Sequence, residues 1–338
     1  MKIDVFPHIF PQAFYDRMLK VSDAASRYMQ RRVRDMPMLT DLEMRLRLMD
    51  EYPEYQQVLT AAGPGIETFC DPKVSPELAR IANDGMAELC AKHPDKFLGF
   101  AASLPMNNMD AALQEADRAV QQLGAYGVQI FTNVNGRPLD EVEFRPLFEK
   151  MAGYDKAIWL HPARPATFAD YATETHSKYE LWWVFGWPYE SSIAMARLVF
   201  TGIFDDFPNL KIITHHLGAM IPYFEHRIGP GLDTLGSRTP PAEKHLLEHK
   251  LKRRPLDYFR LFYGDTALVL GPAQFECGLA FFGIDHVLFG TDMPFDQEGG
   301  AYNVRETMRT IDAMSIAPSD RIKIYETNAR VLLKLPKR

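Results

Sequence analysis

Apolar, β-branched and aromatic residues gather along this chain in short runs, and between the runs apolar positions return every three or four residues. The runs fall at 2–6, 56–60, 97–101, 127–132, 157–161, 211–215, 261–263 and 286–289. A short run without polar alternation marks a strand buried on both faces, as in a parallel sheet covered by helices. The intervening spacing predicts amphipathic helices. Over 110–123, Ala112, Leu113, Ala116, Ala119 and Val120 share one face and Gly124 follows as a stop. The segments 41–50, 143–151 and 192–199 repeat the pattern. Strands alternating with helices in this way predict an α/β fold of the (β/α)8 TIM-barrel type, one domain over 1–338.

Two connections are longer than a minimal barrel needs: 10–53 after strand one and 164–190 after strand five. Both leave the C-terminal ends of strands, the face on which barrels carry their active sites. Long insertions there predict lids or pocket walls. The second contains Trp182, Trp183, Phe185, Trp187 and Tyr189.

Composition narrows the class of partner. With 46% hydrophobic residues the chain can bury a full core, and its net charge of −6 comes from intermixed acids and bases. No basic block offers a footprint for nucleic acid or an anionic membrane, so a small molecule is the expected partner. No apolar stretch reaches the ~18–20 residues of a membrane span. Cys70, Cys90 and Cys277 lie far apart without CxxC spacing, which predicts free thiols in a reducing, cytoplasmic setting.

Candidate chemistry sits where the apolar runs end. His8 follows the first run, His161 closes the fifth, His215 and His216 close the sixth, and Asp292 follows the eighth. A barrel would bring these ends together on one face, and imidazole with carboxylate is a ligand set for zinc or a similar divalent ion. Single histidines elsewhere, at His93, His176, His245, His249 and His286, read as surface or structural groups. Residues two apart on a strand share a face, so Phe6 is expected to project into the site beside His8. Glu190 reads either as a pocket carboxylate or as an acid near a helix N-terminus.

The stretches KIDVFPHIFP, IWLHP, FPNLKIITHHLGAMIPYFEHRI and FGTDMPF, in that order, resemble the second amidohydrolase group. That group contains the aminocarboxymuconate semialdehyde, γ-resorcylate and 5-carboxyvanillate decarboxylases. The resemblance implies that His8, His161 and Asp292 bind one divalent metal, with zinc expected ahead of manganese. It implies that His216, through Gly218 and Pro222 of its motif, is a catalytic acid/base together with Asp292. It assigns Arg227 to a substrate carboxylate across a homodimer. His215 is expected to point away, as a neighbour at a strand end. Phe6 stands where the decarboxylases carry a ligand, so one ligand is expected to be missing and a metal-free site is the alternative.

These readings converge on a metal-assisted, non-oxidative decarboxylase of a small aromatic or conjugated carboxylic acid. Phe6, Arg227, Trp187 and Glu190 are the expected substrate contacts, with Trp183 and Tyr189 joining Trp187 in an apolar wall. A hydrolase or hydratase of a lactone, ester or conjugated acid on the same barrel is the rival enzyme, and a non-catalytic binding protein the rival of another class.

Overall fold

The computed structural model of the chain describes residues 1–21, 30–247, 251–267 and 271–336; part of the first long connection and His249 lie outside them. Parallel strands follow one another around a barrel: β1 (Lys2–Asp4), β2 (Tyr55–Ala61), β3 (Phe97–Ser103), β4 (Gly127–Phe131), β5 (Ala157–His161), β6 (Lys211–Thr214), β7 (Tyr263–Asp265) and β8 (Val287–Leu288). The seam between β8 and β1 is bridged by backbone bonds: Val5 N–H donates to Phe289 O at 2.9 Å, and Asp292 N–H to Phe6 O at 3.2 Å. A two-residue extension, His8–Ile9, pairs with the end of β2 and sets His8 opposite Thr60.

Side-chain alternation divides the core into two layers. On β5, Ala157 and Trp159 turn toward an inner cluster with Ile3, Val5, Phe6, Val58, Ala101, Ile213 and Leu288. Ile158 and Leu160 turn outward into the larger cluster shared with the helices. His161 has the parity of Trp159, which places it on the inner side at the C-terminal rim. Trp159, fully buried, donates its indole N–H to Val5 O at 2.7 Å, pinning β5 across the barrel.

The fifth run coincides with its strand, whereas the seventh moves from 261–263 to Tyr263–Asp265. Phe262 packs outward among the helices, and the strand continues into the buried carboxylate of Asp265. An apolar count therefore places that strand too early. The helix expected over 192–199 begins earlier, at Gly186, and runs to Phe200 with Pro188 in its first turn, where no intrahelical donor is required. Trp187, Tyr189 and Glu190 are thus helical residues rather than loop residues. In the first connection the helix Leu42–Asp50 is capped by Asp41, whose side chain accepts from Met44 N–H at 2.8 Å. No described helix is long and apolar enough to cross a membrane.

Candidate active site

The chain reverses sharply at the strand ends that carry the site. His215 is extended, with φ −72° and ψ 155°, but His216 and Leu217 turn left-handed at φ 57° and 51°. Positive φ is uncommon for residues with a Cβ and marks a backbone held by its surroundings. Asp292 has the same feature, at φ 58°. The turn corrects the expectation that His215 points away. Alternation applies to a continuing strand, but β6 ends at Thr214 and the left-handed step folds His216 back onto its neighbour. The two imidazoles stack with centroids 3.9 Å apart.

His8, His161, His215 and Asp292 are all buried, and one ligand atom from each lies within 4.8 Å of the others. Each imidazole is oriented through its other nitrogen. His8 Nδ1 lies 2.9 Å from Thr60 Oγ1, His161 Nδ1 lies 2.7 Å from Pro162 O, and His215 Nδ1 lies 2.6 Å from Asp265 Oδ2. Thr60 Oγ1 donates to Pro7 O at 2.8 Å, so its lone pair is free to accept from His8. Fixing Nδ1 in this way leaves Nε2 as the nitrogen that could hold a cation. Asp265 also accepts from the backbone N–H of His216 at 3.2 Å and of Ala267 at 2.9 Å, which secures the carboxylate that secures His215.

Phe6 does not leave the set a ligand short, because His215 completes it from β6. The phenyl ring stacks on His215 with centroids 3.8 Å apart, and lies 5.6 Å from the ring of His8 and 6.0 Å from that of His161. It forms an apolar floor under the imidazoles.

The donor set fits a divalent cation on two counts. His8 Nε2 is 3.0 Å from Asp292 Oδ1 yet has no aligned hydrogen-bond partner, and His216 Nε2, 3.9 Å from Asp292 Oδ2, has none either. Buried polar atoms that converge without pairing call for something between them. The second count is electrostatic. Burial works to raise the carboxyl of Asp292, but the imidazoles of His215, His216 and His8 outweigh it and hold it well below the carboxylate range. Burial lowers His8 against the pull of Asp292 and lowers His161 further, with His215 and His8 adding to that effect. His216 is lowered by burial and by His215. Burial would lower His215 too, but Asp265 and Asp292 overcome it and raise it to about 9. In that balance a proton on His215 offsets the buried carboxylates, a role that a bound cation would fill instead.

Aromatic rings surround the cluster. Trp187 lies edge-on to His161 at 5.6 Å, Phe131 lies 5.1 Å from the same ring, and Phe295 lies 5.3 Å from His8. Trp182 and Trp183 pack on Trp187, whose indole N–H is buried without a partner. Tyr189 departs from the expected wall and faces a surface groove with Ile193, Met220, Phe224 and Arg227. Arg227 is exposed there, outside the cluster of its own chain. Glu190 pairs with Arg164 at 2.7 Å and ties the Trp187 helix to the preceding insertion.

The chain's pattern does not single out three contributors, Thr60, Asp265 and Arg32, while His215 is visible there but expected to face away. Arg32, from the first insertion, donates to Gly63 O at 3.3 Å, lies 4.3 Å over the Phe295 ring, and is close enough to lower His8 electrostatically. It sits in a basic stretch without periodicity, so no pattern singled it out. Asp265, at the end of an apolar run in FYGD, carried a signal that the misplaced strand concealed.

The family model described as Amidohydrolase matches residues 8–335. A γ-resorcylate decarboxylase of Rhizobium sp. (strain MTP-10005) is 34% identical over 308 residues, 87% of each chain. Among solved structures, a dihydroxybenzoic acid decarboxylase of Polaromonas sp. JS666, with bound manganese and 2-nitroresorcinol, is 28% identical. It superposes with a TM-score of 0.77 over 100% of this chain and 98% of that one. A 5-carboxyvanillate decarboxylase of Novosphingobium aromaticivorans, with manganese and 4-hydroxy-3-methoxy-5-nitrobenzoic acid, is 25% identical, with a TM-score of 0.82 over 99% and 96%.

Proposed function

The chain belongs to the amidohydrolase family, and from that premise we propose a non-oxidative decarboxylase of a small aromatic carboxylic acid, assisted by one divalent cation. The observation that carries this reading is the convergence of three buried imidazoles and one buried carboxylate, with the unpaired Nε2 of His216 beside them. The similar proteins named for decarboxylation of hydroxylated benzoic acids support the same class of reaction.

His8, His161, His215 and Asp292 would hold the cation. Imidazole with carboxylate suits zinc and manganese alike, and manganese is the ion in both solved structures described above. When bound, a divalent cation supplies a Lewis acid for substrate oxygens.

The rest of the chemistry falls to the chain's own residues. Decarboxylation breaks the bond between ring and carboxyl carbon, leaves the electron pair on the ring carbon, and requires one proton there. We assign that proton to His216. Its Nε2 is buried and unpaired, and the ionised carboxylate of Asp292, 3.9 Å away, draws a proton toward that atom against burial and His215, which lower the imidazole and make it a readier donor. Phe131, Phe295 and Trp187 offer apolar surface to a planar ring, while Phe6, fully buried under His215, supports the imidazoles and is no substrate contact. Arg32 stands within its own chain as a carboxylate partner. Arg227 would serve the neighbouring site in a homodimer formed through the groove that also exposes Tyr189 and Ile193.

The test is carbon dioxide release from 2,6-dihydroxybenzoate, 5-carboxyvanillate and related hydroxybenzoic acids by metal-loaded protein. Release that stops on chelation and returns with added cation is the expected result. Turnover of lactones or esters, with no carbon dioxide from any acid, overturns the reading in favour of a hydrolase.

A further inference from the structure

Among the described residues, neighbouring strands pair through regular ladders from β1 round to β8, but β8 and β1 do not pair with each other in this way. The two segments that leave this seam carry His8 and Asp292, so its geometry sets the distance between two of the ligand groups. Asp4, the last residue of β1 and fully buried, spans it. Its Oδ1 accepts from the backbone N–H of Phe6 at 3.0 Å and from that of Thr291 at 3.2 Å. Its Oδ2 accepts from Thr291 Oγ1 at 2.6 Å and from the hydroxyl of Tyr55 on β2, which in turn accepts from Gln57 Nε2 at 2.9 Å. A carboxylate is tolerated in a dry interior only when its oxygens are satisfied, and this one gathers four donors from three segments.

These bonds fall on either side of the ligands. Phe6, held by Asp4 through its N–H, accepts from Asp292 N–H through its carbonyl. Thr291 precedes Asp292, and the hydroxyl that it turns to Asp4 also accepts from Met293 N–H at 3.2 Å. Met293 O then accepts from His8 N–H at 2.7 Å. Both neighbours of Asp292 are thus tied to Asp4 or to the hydroxyl that Asp4 orients. A left-handed residue with a Cβ persists where its surroundings over-determine it, and these bonds supply that constraint at Asp292. Gly290 allows the close approach, since a Cβ there would stand 3.0 Å from that of Asp265 and 3.4 Å from that of Phe6.

We propose that Asp4, outside the ligand set, is a positioning residue for it: its carboxylate clasps Phe6 to Thr291 across the seam and so sets the 3.0 Å between His8 Nε2 and Asp292 Oδ1. The role needs an acceptor at both oxygens, because one holds backbone N–H groups and the other holds hydroxyls. An asparagine keeps one acceptor and turns N–H donors toward the other pair, so it weakens the clasp without changing its shape. An alanine removes the clasp. The inference rests on the reading of the cluster as a cation site.

The test compares wild type with Asp4→Asn, Asp4→Ala and a control, Asn83→Ala. Asn83 is fully buried and bonds to Ser103 O at 3.0 Å and Glu115 Oε1 at 2.7 Å, so its loss costs stability through partners other than the seam. Manganese affinity is measured by equilibrium dialysis, the visible absorption bands of the cobalt-loaded protein report ligand geometry, and urea titration reports stability. Asp4→Asn should weaken manganese binding about tenfold and shift the cobalt bands, and Asp4→Ala should weaken it about 100-fold. Asn83→Ala should lose stability with affinity and bands unchanged. Should Asp4→Ala not fold, Asp4→Asn decides alone, and wild-type affinity and bands in it overturn the positioning role. Equal weakening in Asn83→Ala also overturns it, since any loss of stability would then loosen the cation. Wild type that binds neither ion overturns the cation reading of the cluster, and the positioning role with it.

Discussion

His215 is held on three sides: Phe6 stacks on one face, His216 on the other, and Asp265 fixes Nδ1 at 2.6 Å. A ring so confined can present only Nε2 to Asp292, 3.3 Å away. Asp265→Asn keeps the shape but not the charge that selects this tautomer, and should weaken metal binding about 10–100-fold. Equilibrium dialysis with elemental analysis measures it, and unchanged affinity would remove His215 from the ligand set. Glu67 supports a second prediction at this scale. Burial raises its carboxyl to about 7 in the fold, against about 4.3 in an unfolded chain. The folded state therefore binds the extra proton, and stability from this group is full below about pH 4 and is lost as pH rises through 7. Glu67→Gln removes that loss. Urea titrations should show the variant gaining on wild type with rising pH, to about 3 kcal/mol near pH 8. A difference that stays flat with pH would contradict the raised carboxyl.

The helix Leu42–Asp50 shows how an insertion reaches the site. Its Arg45 is fully buried and donates to the His8 carbonyl, to Gln57 Oε1 at 2.8 Å and to Met38 O at 3.3 Å. Burial lowers its guanidinium to about 10, so it remains charged at neutral pH. A cation is accepted there because carbonyl and amide oxygens replace its water, with Asp4 nearby in the same buried network. Arg45→Met should cost about 2–4 kcal/mol and also loosen metal binding, since the backbone of His8 loses its partner. Asp41→Ala removes only the cap and should cost about 1 kcal/mol with metal affinity unchanged. Denaturant unfolding and metal titration on the two variants separate these effects. Equal metal affinity in both would show that the insertion does not position His8.

At the scale of the whole molecule, Arg227 is exposed beside an apolar groove instead of facing its own cluster. The proposed homodimer turns this placement into a complementation experiment. His216→Asn and Arg227→Ala homodimers should each be nearly inactive. Unfolded together in equal amounts and refolded, they should recover about a quarter of wild-type activity, because half the dimers then carry one intact site of two. No recovery, with mixed dimers verified by mass, would confine Arg227 to its own chain.

The sequence alone determined the barrel, because short apolar runs alternating with amphipathic helices leave few other ways to bury both. It also singled out His8, His161, His216 and Asp292, each lying at or just beyond an apolar run. Strand ends that far apart in the chain meet only when a sheet closes, so the barrel hypothesis made them neighbours. The tertiary structure decided the rest. Whether His215 faces in or out depends on a left-handed step after β6, a torsion that hydrophobic periodicity does not encode. Asp265 was hidden because its strand was placed by apolar count, whereas a barrel interior accepts a carboxylate once an imidazole pairs with it. Phe6 reads along the chain as a missing ligand; packed, it is the floor that holds the replacing one. Linear pattern records which residues avoid water, and ligand geometry depends on backbone reversals and on partners supplied by other strands.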